Sequence, residues 1–374
     1  MKIRRTDEKF MHLALRLAAK GECLVSPNPM VGCVIVKGGR TVSTGYHREF
    51  GGPHAEINAI NNAPSPSSVR GSTMYVTLEP CSHTGKKTPP CVPEIIRSGV
   101  RRAVIAMTDP NPKESGRGIS RLREAGIRCE TGLLGDEARK INKAYVKWIT
   151  RGVPYVILKW AMTLDGKIAT RTGDAHWVSS APSRMLTHKM RKAVDAILVG
   201  ANTIIRDNPR LTVRLGTGKG KYRNPVRVVL DPHLRVSAGS NVFDGESSSI
   251  IFYDRRLLAN KYKRKLDILC EKGVDTINVA STNGEFNFSS LMHILGKKGI
   301  SSVLVEGGGE THALALKYRA ADEINAFIAP KIVGGRDAKT PVEGEGIARM
   351  SYALLFKGIE VEKVGPDLLI RGYF

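Results

Sequence analysis

The chain has 374 residues, 41% hydrophobic and 25% charged, a balance that suits two or three folded domains and excludes a disordered or fibrous chain. No run of about 18 apolar residues occurs, so no transmembrane helix is expected. Residues 1–7 are basic but lack the apolar core of a signal peptide, and a cytoplasmic protein with no membrane partner is expected. The net charge of +23 points to anionic partners: nucleic acid, phosphorylated small molecules, a phosphate-bearing cofactor, or simply a basic solvated surface. Six cysteines without a C-x-x-C pair read as free thiols in a reducing compartment.

In chain order, Phe10, Leu13, Ala14 and Leu17 fall at helical spacing and predict a helix over 6–20. The apolar run 31–36, a Gly38-Gly39 turn and a second strand near 41–46 predict a hairpin. Pro53 suits the first turn of a helix. Strands are expected near 73–78, 102–107 and 127–133. Helices are expected near 91–98 and 117–125, with one long charged helix near 135–149. This alternation predicts an α/β sheet covered on both faces. Glycine and proline within 150–154 mark a boundary, giving domains 1–150 and 151–374. The second half predicts strands near 155–160, 196–200, 226–231, 249–253, 301–306 and 323–328. Its helices are expected near 181–194, 288–296 and 310–319, with 216–221 and 237–249 as surface loops.

Chemistry concentrates first at Pro53-His54-Ala55-Glu56, Pro80-Cys81 and Cys91. One histidine and two cysteines supply three ligands that zinc favours and leave a fourth position for water, as a catalytic site requires. Glu56 is the candidate proton shuttle. The H-x-E … P-C … C order is the zinc deaminase signature, in which the glutamate is not a ligand. Two features strain it. Nine residues separate Cys81 from Cys91, where two are usual. His54 and Glu56 would also point about 200° apart on an ideal helix, so the helix end itself must face the site. In the second half, Glu306-Gly307-Gly308-Gly309 follows a strand and precedes a helix, either as a bare tight turn or as a cradle for phosphate. A Rossmann G-x-G-x-x-G is missing.

The segments Asn28-Pro29-Met30-Val31-Gly32-Cys33, Gly45-Tyr46-His47, Pro53-His54-Ala55-Glu56, Leu78-Glu79-Pro80-Cys81-Ser82-His83, Thr88-Pro89-Pro90-Cys91 and Asp109-Pro110-Asn111-Pro112 resemble the bifunctional riboflavin-biosynthesis deaminase/reductases over nearly the whole chain. The resemblance implies a cytidine-deaminase-like three-layer domain followed by a dihydrofolate-reductase-like domain. His54, Cys81 and Cys91 would bind Zn2+, Glu56 would move protons, and Asn28, His47 and His83 would contact substrate. NADPH would be the hydride donor and a ribosylaminopyrimidine 5′-phosphate the substrate. Ala161, Trp177, Thr203 and Asp207 would line the cofactor, whose phosphates would lie on Gly308, Gly309, Glu310, Thr311, His312, Ala313 and Leu314. Ala175, Arg191, Leu211, Arg214 and Glu306 would contact substrate, the arginines anchoring its phosphate. Relatives carry serine where Ala175 stands, which removes a hydroxyl contact. They also carry one residue fewer between the cysteines, with an arginine where this chain has Lys86 and Lys87. Lys159 could assist protonation. A homo-oligomer is expected from the likeness. The alternative from another class is an RNA or nucleoside deaminase with a basic binding domain, motivated by the charge; no RNA-binding signature in the second half supports it.

Overall fold

A computed structural model describes residues 5–84, 88–215, 223–258 and 262–374. The predicted loop 216–221 and the two lysines Lys86 and Lys87 lie outside the described residues. The chain divides into two compact units, Met1–Val153 and Pro154–Phe374.

The first unit runs α1 (Arg5–Ala18), β1 (Gly32–Lys37), β2 (Arg40–Tyr46), α2 (Ala55–Asn61), α3 (Pro66–Val69), β3 (Thr73–Val76), α4 (Cys91–Ser98), β4 (Arg102–Ile105), α5 (Arg117–Glu124), β5 (Arg128–Thr131), α6 (Gly135–Ile141) and α7 (Lys143–Arg151). The sheet order is β2-β1-β3-β4-β5, antiparallel around β1 and parallel from β3 to β5. Side chains alternate across a strand, so Cys33 and Ile35 pack under α2, α4 and α5 while Val34 and Val36 pack under α1, α6 and α7. Both faces are covered, as the pattern predicts. The single charged helix expected near 135–149 is instead two helices, broken at Asn142. That side chain accepts from the Met30 amide at 2.8 Å and donates to the Met30 carbonyl at 2.9 Å, tying the break to the loop that carries Asn28.

The second unit runs β6 (Tyr155–Thr163), α8 (Ala181–Lys192), β7 (Ala196–Gly200), α9 (Ala201–Asp207), β8 (Val226–Leu230), β9 (Ser249–Tyr253), α10 (Lys263–Glu271), β10 (Asp275–Asn278), β11 (Ser281–Thr282), β12 (Glu285–Phe286), α11 (Phe288–Lys297), β13 (Ser302–Val305), α12 (Gly309–Lys317), β14 (Glu323–Ala329), β15 (Gly358–Val364) and β16 (Asp367–Tyr373). Its sheet order is β10-β9-β8-β7-β13-β6-β14-β16-β15. Every pairing from β10 to β14 is parallel, and β16 and β15 complete the edge antiparallel. Carboxyl ends of β6, β13, β7 and β8 therefore lie side by side, the place where parallel sheets collect ligands. The segment 237–249 is more than a surface loop. Val242 and Phe243 are buried, and the fully buried Arg227 donates to the Asn241 and Ser247 carbonyls and to Asp244. No helix among the described residues is long and apolar enough to cross a membrane.

Candidate active sites

The first site gathers at the amino ends of α2 and α4. His54 is the N-cap of α2, with φ −73° and ψ 166°, and Glu56 lies in the first turn. Because His54 stands before the helix in extended backbone, the 200° divergence expected of an ideal helix does not arise, and both side chains face one point. Gly45 allows this placement: a Cβ there would collide with the Ala55 carbonyl and the Ala59 amide, so only glycine lets β2 approach α2 so closely. Cys91 opens α4, and its amide donates to the Cys81 carbonyl at 3.0 Å. The nine-residue excursion between the cysteines therefore returns to its own start, and the long spacing costs the site nothing.

The donor atoms form a triangle. His54 Nδ1 lies 3.1 Å from Cys91 Sγ and 3.5 Å from Cys81 Sγ, and the sulfurs are 3.6 Å apart. A tetrahedral zinc with ordinary bond lengths needs edges of about 3.6–3.8 Å, so the set fits that ion with small adjustments. Thr88 Oγ1 lies 3.0 Å from His54 Nε2, which directs Nδ1 to the metal side. The neighbouring Cys81 thiol and then burial push the Cys91 thiol well up. Two buried thiols this close become thiolates only when a cation compensates them, which is the chemistry of a metal-binding pair. Glu56 is buried, lies within hydrogen-bonding reach of Cys91, and has its carboxyl raised by burial with His54 opposing.

A cavity of about 300 Å3 opens onto this triangle and is lined by Asn28, His47, His54, Glu56, Cys81 and His83 among others. Burial lowers His47, so its ring is neutral. Its Nδ1 lies 3.1 Å from the Pro53 carbonyl and can only donate there, which leaves Nε2 to accept from Asn28 Nδ2 at 3.1 Å. Three contributors escape the sequence reading. Tyr145, Trp148 and Ile149 of α7 form an apolar wall, hidden in the sequence among Lys143, Lys147 and Arg151. Glu79 accepts from the amides of Asp109, Gly116 and Ile119 and holds the loops behind the wall. Glu114 accepts from the amides of Ser82 and His83, from Ser82 Oγ and from the His83 ring. Burial alone would raise Glu114; these donors more than offset it and hold the carboxyl at about 2.

The second unit holds a cavity of about 400 Å3 across the carboxyl ends of its parallel strands. Of the residues named above for the cofactor, Thr203, Asp207, Gly308, Gly309, Glu310, Thr311 and Leu314 line it, and Ala175, named for the substrate, joins them. The structure places the other four cofactor candidates differently. His312 is buried, pointing its ring at the Pro341 and Val305 carbonyls. Ala313 packs beside Gly344, Ala161 lies outside the lining, and Trp177 is an exposed ring stacked on the Arg184 guanidinium at 3.9 Å. The glycine run is a cradle at one position. A Cβ on Gly307 would strike Thr311 and one on Gly309 would strike Thr340 and Glu343, whereas a Cβ on Gly308 would meet only Thr203 Oγ1 at 3.9 Å. Gly308 therefore bares backbone to the cavity at the amino end of α12, a fit for a phosphate group.

Beside it lies a charged cluster. Arg191 donates from Nε and Nη2 to both Glu306 oxygens, at 2.7 and 2.8 Å, and from Nη1 to the Thr212 carbonyl. The guanidinium fork expected to grip a substrate phosphate is thus turned onto Glu306. Burial alone would raise Glu306; Arg191, then Lys159, hold it at about 2. Lys159 is lowered by burial. Arg214 donates to Thr212 Oγ1 and, among the described residues, meets no carboxylate within hydrogen-bonding distance. Leu211 has its side chain in the hydrophobic core, with φ +54°, so only its backbone could meet a ligand. His188 is lowered to about 4 by burial, Arg191 and Arg214, and is neutral.

Residues 4–107 match the cytidine and deoxycytidylate deaminase zinc-binding region, and residues 154–370 match the RibD C-terminal domain. The riboflavin biosynthesis protein RibD of Aquifex aeolicus is 42% identical over 98% of each chain, and that of Escherichia coli is 36% identical over 98% of each. Among solved structures, a diaminohydroxyphosphoribosylaminopyrimidine deaminase/5-amino-6-(5-phosphoribosylamino)uracil reductase from Thermotoga maritima is similar with a TM-score of 0.85, at 37% identity and 98% coverage of both chains. Acinetobacter baumannii RibD is similar with a TM-score of 0.87, at 30% identity and 99% coverage of both.

Proposed function

The chain belongs to the RibD family of riboflavin-biosynthesis proteins, and from that premise we propose how its own residues divide the work. It is a deaminase and an NADPH-dependent reductase in one polypeptide, with a zinc-binding deaminase region. The RNA-deaminase alternative falls with this assignment. We assign the deaminase to 1–150 and the reductase to 151–374. The substrate we propose is 2,5-diamino-6-ribosylamino-4(3H)-pyrimidinone 5′-phosphate, first losing an exocyclic amine and then having its ribosyl group reduced to ribityl.

His54, Cys81 and Cys91 would hold zinc, which supplies a Lewis acid that makes water a nucleophile near neutral pH. Glu56 takes the proton of the attacking water and returns it to the departing amine, a role its burial-raised carboxyl suits. Asn28, locked by neutral His47, and His83, locked by Glu114, present fixed polar groups to the pyrimidine. In the second unit the cofactor supplies hydride. The bare backbone at Gly308 and the amino end of α12 would receive its pyrophosphate. Arg214 anchors the substrate phosphate, Arg191 lends charge while positioning Glu306, and Lys159 stands ready to give a proton to the opened ribose. We place the enzyme in the cytoplasm as a homo-oligomer; the exposed Ile359, Val361, Leu355 and Leu368 at the β15–β16 edge offer apolar surface for a second copy.

The observation that carries this reading is the His54–Cys81–Cys91 triangle with Glu56 beside it. Purified protein should release ammonia from the diaminopyrimidine only when it contains zinc. It should oxidise NADPH only when given the deaminated product. Ammonia release that survives complete zinc removal overturns the reading.

A further inference from the structure

In the second unit the charged cluster stands beside the cavity, outside its lining. Lys159 lies midway along β6, Glu306 follows β13, and Arg191 pairs with it, so chemistry belongs at the β6–β13 side of the sheet. Outward from there the order is β7, β8, β9. A dinucleotide whose pyrophosphate sits at Gly308 and whose reactive ring faces Glu306 must send its adenosine the other way, over the ends of β7 and β8.

The cavity lining includes Asn202, Arg206, Pro232, Arg235 and Glu285. The Arg235 guanidinium donates from Nη2 to Asn202 Oδ1 at 2.8 Å, which fixes its fork at the end of β8. Arg206 lies on α9 and lines the same cavity. The carboxylates that could cancel these charges are engaged or withdrawn. Glu285 is paired with Lys317 at 2.6 Å. Asp231, the acid that follows β8 and could have accepted from a ribose 2′-hydroxyl, is fully buried and takes the Val236 amide at 2.7 Å. Asp207 stands next to Arg206, and burial raises its carboxyl towards the neutral form.

We infer that Arg235, steadied by Asn202 and assisted by Arg206, binds the 2′-phosphate of the cofactor and sets the preference for NADPH over NADH. A planar fork held at a strand end suits a doubly charged phosphate monoester, and a ribose hydroxyl gains little from it. This rests on the cofactor placement proposed above. The test is equilibrium binding to the full chain, read by nicotinamide fluorescence and by competition with 2′,5′-ADP and 5′-ADP. Arg235→Ala should weaken NADPH and 2′,5′-ADP by about ten- to a hundredfold, the range of one charge-assisted bond. NADH and 5′-ADP should change by less than about threefold, because the lost group does not touch them. Arg235→Lys should recover part of the NADPH affinity, which separates recognition from misfolding. Variants that weaken both dinucleotides equally, or neither, overturn the inference while the cofactor placement stands. Wild-type protein that binds neither dinucleotide overturns both.

Discussion

The two units solve opposite electrostatic problems. In the first, a buried glutamate and the buried Cys91 thiol are both pushed towards their protonated forms, and the site is electrically incomplete without a cation. In the second, Glu306 is already answered by Arg191, and the cluster is complete before any ligand arrives. A metal centre must be built from a few residue types that bind the ion, whereas a dinucleotide site is built largely from backbone and strand order. The first leaves a signature in the sequence and the second leaves little.

The sharpest way to break the comparison is to disable the proton carrier alone. Glu56→Gln should cut ammonia release by about a hundred- to ten-thousandfold, the span of general acid–base catalysis. Zinc content by atomic absorption and NADPH oxidation with the deaminated intermediate should both persist. Loss of reduction in that variant would mean the two sites do not stand on separate footings.

Next is the self-contained pair. Arg191→Met leaves Glu306 buried without its hydrogen-bonded partner and with only Lys159 to answer its charge, which costs up to about 3–5 kcal/mol. Urea unfolding followed in the second unit should show it, and Glu306→Leu added to Arg191→Met should recover most of the loss. The pair also has a pH signature. Glu306 is held at about 2 against an ordinary value of 4.5, so its contribution is complete above about pH 4.5 and disappears as pH falls towards 2. Acid titration of the single variant should lack that limb.

The smallest effect probes the cradle. Gly308→Val places a side chain where a Cβ meets nothing but Thr203, so the fold should hold while NADPH binding weakens by at least about tenfold, or 1.4 kcal/mol. Unchanged affinity would move the pyrophosphate elsewhere in the cavity.

What could be read in advance follows the same divide. The sheet of the first unit and its zinc ligands are legible because alternation and the His, Cys, Cys, Glu set are local signals. The break at Asn142 is not, because its cause is a hydrogen-bonded loop 112 residues earlier. Glu114 is invisible for the same reason: its partners Ser82 and His83 lie in another loop. In the second unit the strands of the parallel core are apolar runs and stand out. β15 alternates Ile359 and Val361 with Glu360 and Glu362 but is exposed on both faces, so no burial pattern advertises it. Trp177 and His312 fit a motif, yet one stacks on Arg184 and the other turns into the interior.

The residues lining one cavity all fall between 27 and 149, and those lining the other between 168 and 343. Among the described residues, each of these linings is drawn from one side of the Val153–Pro154 junction. Mutational drift can therefore erode one of these linings while leaving the other untouched, so the two activities can be lost one at a time.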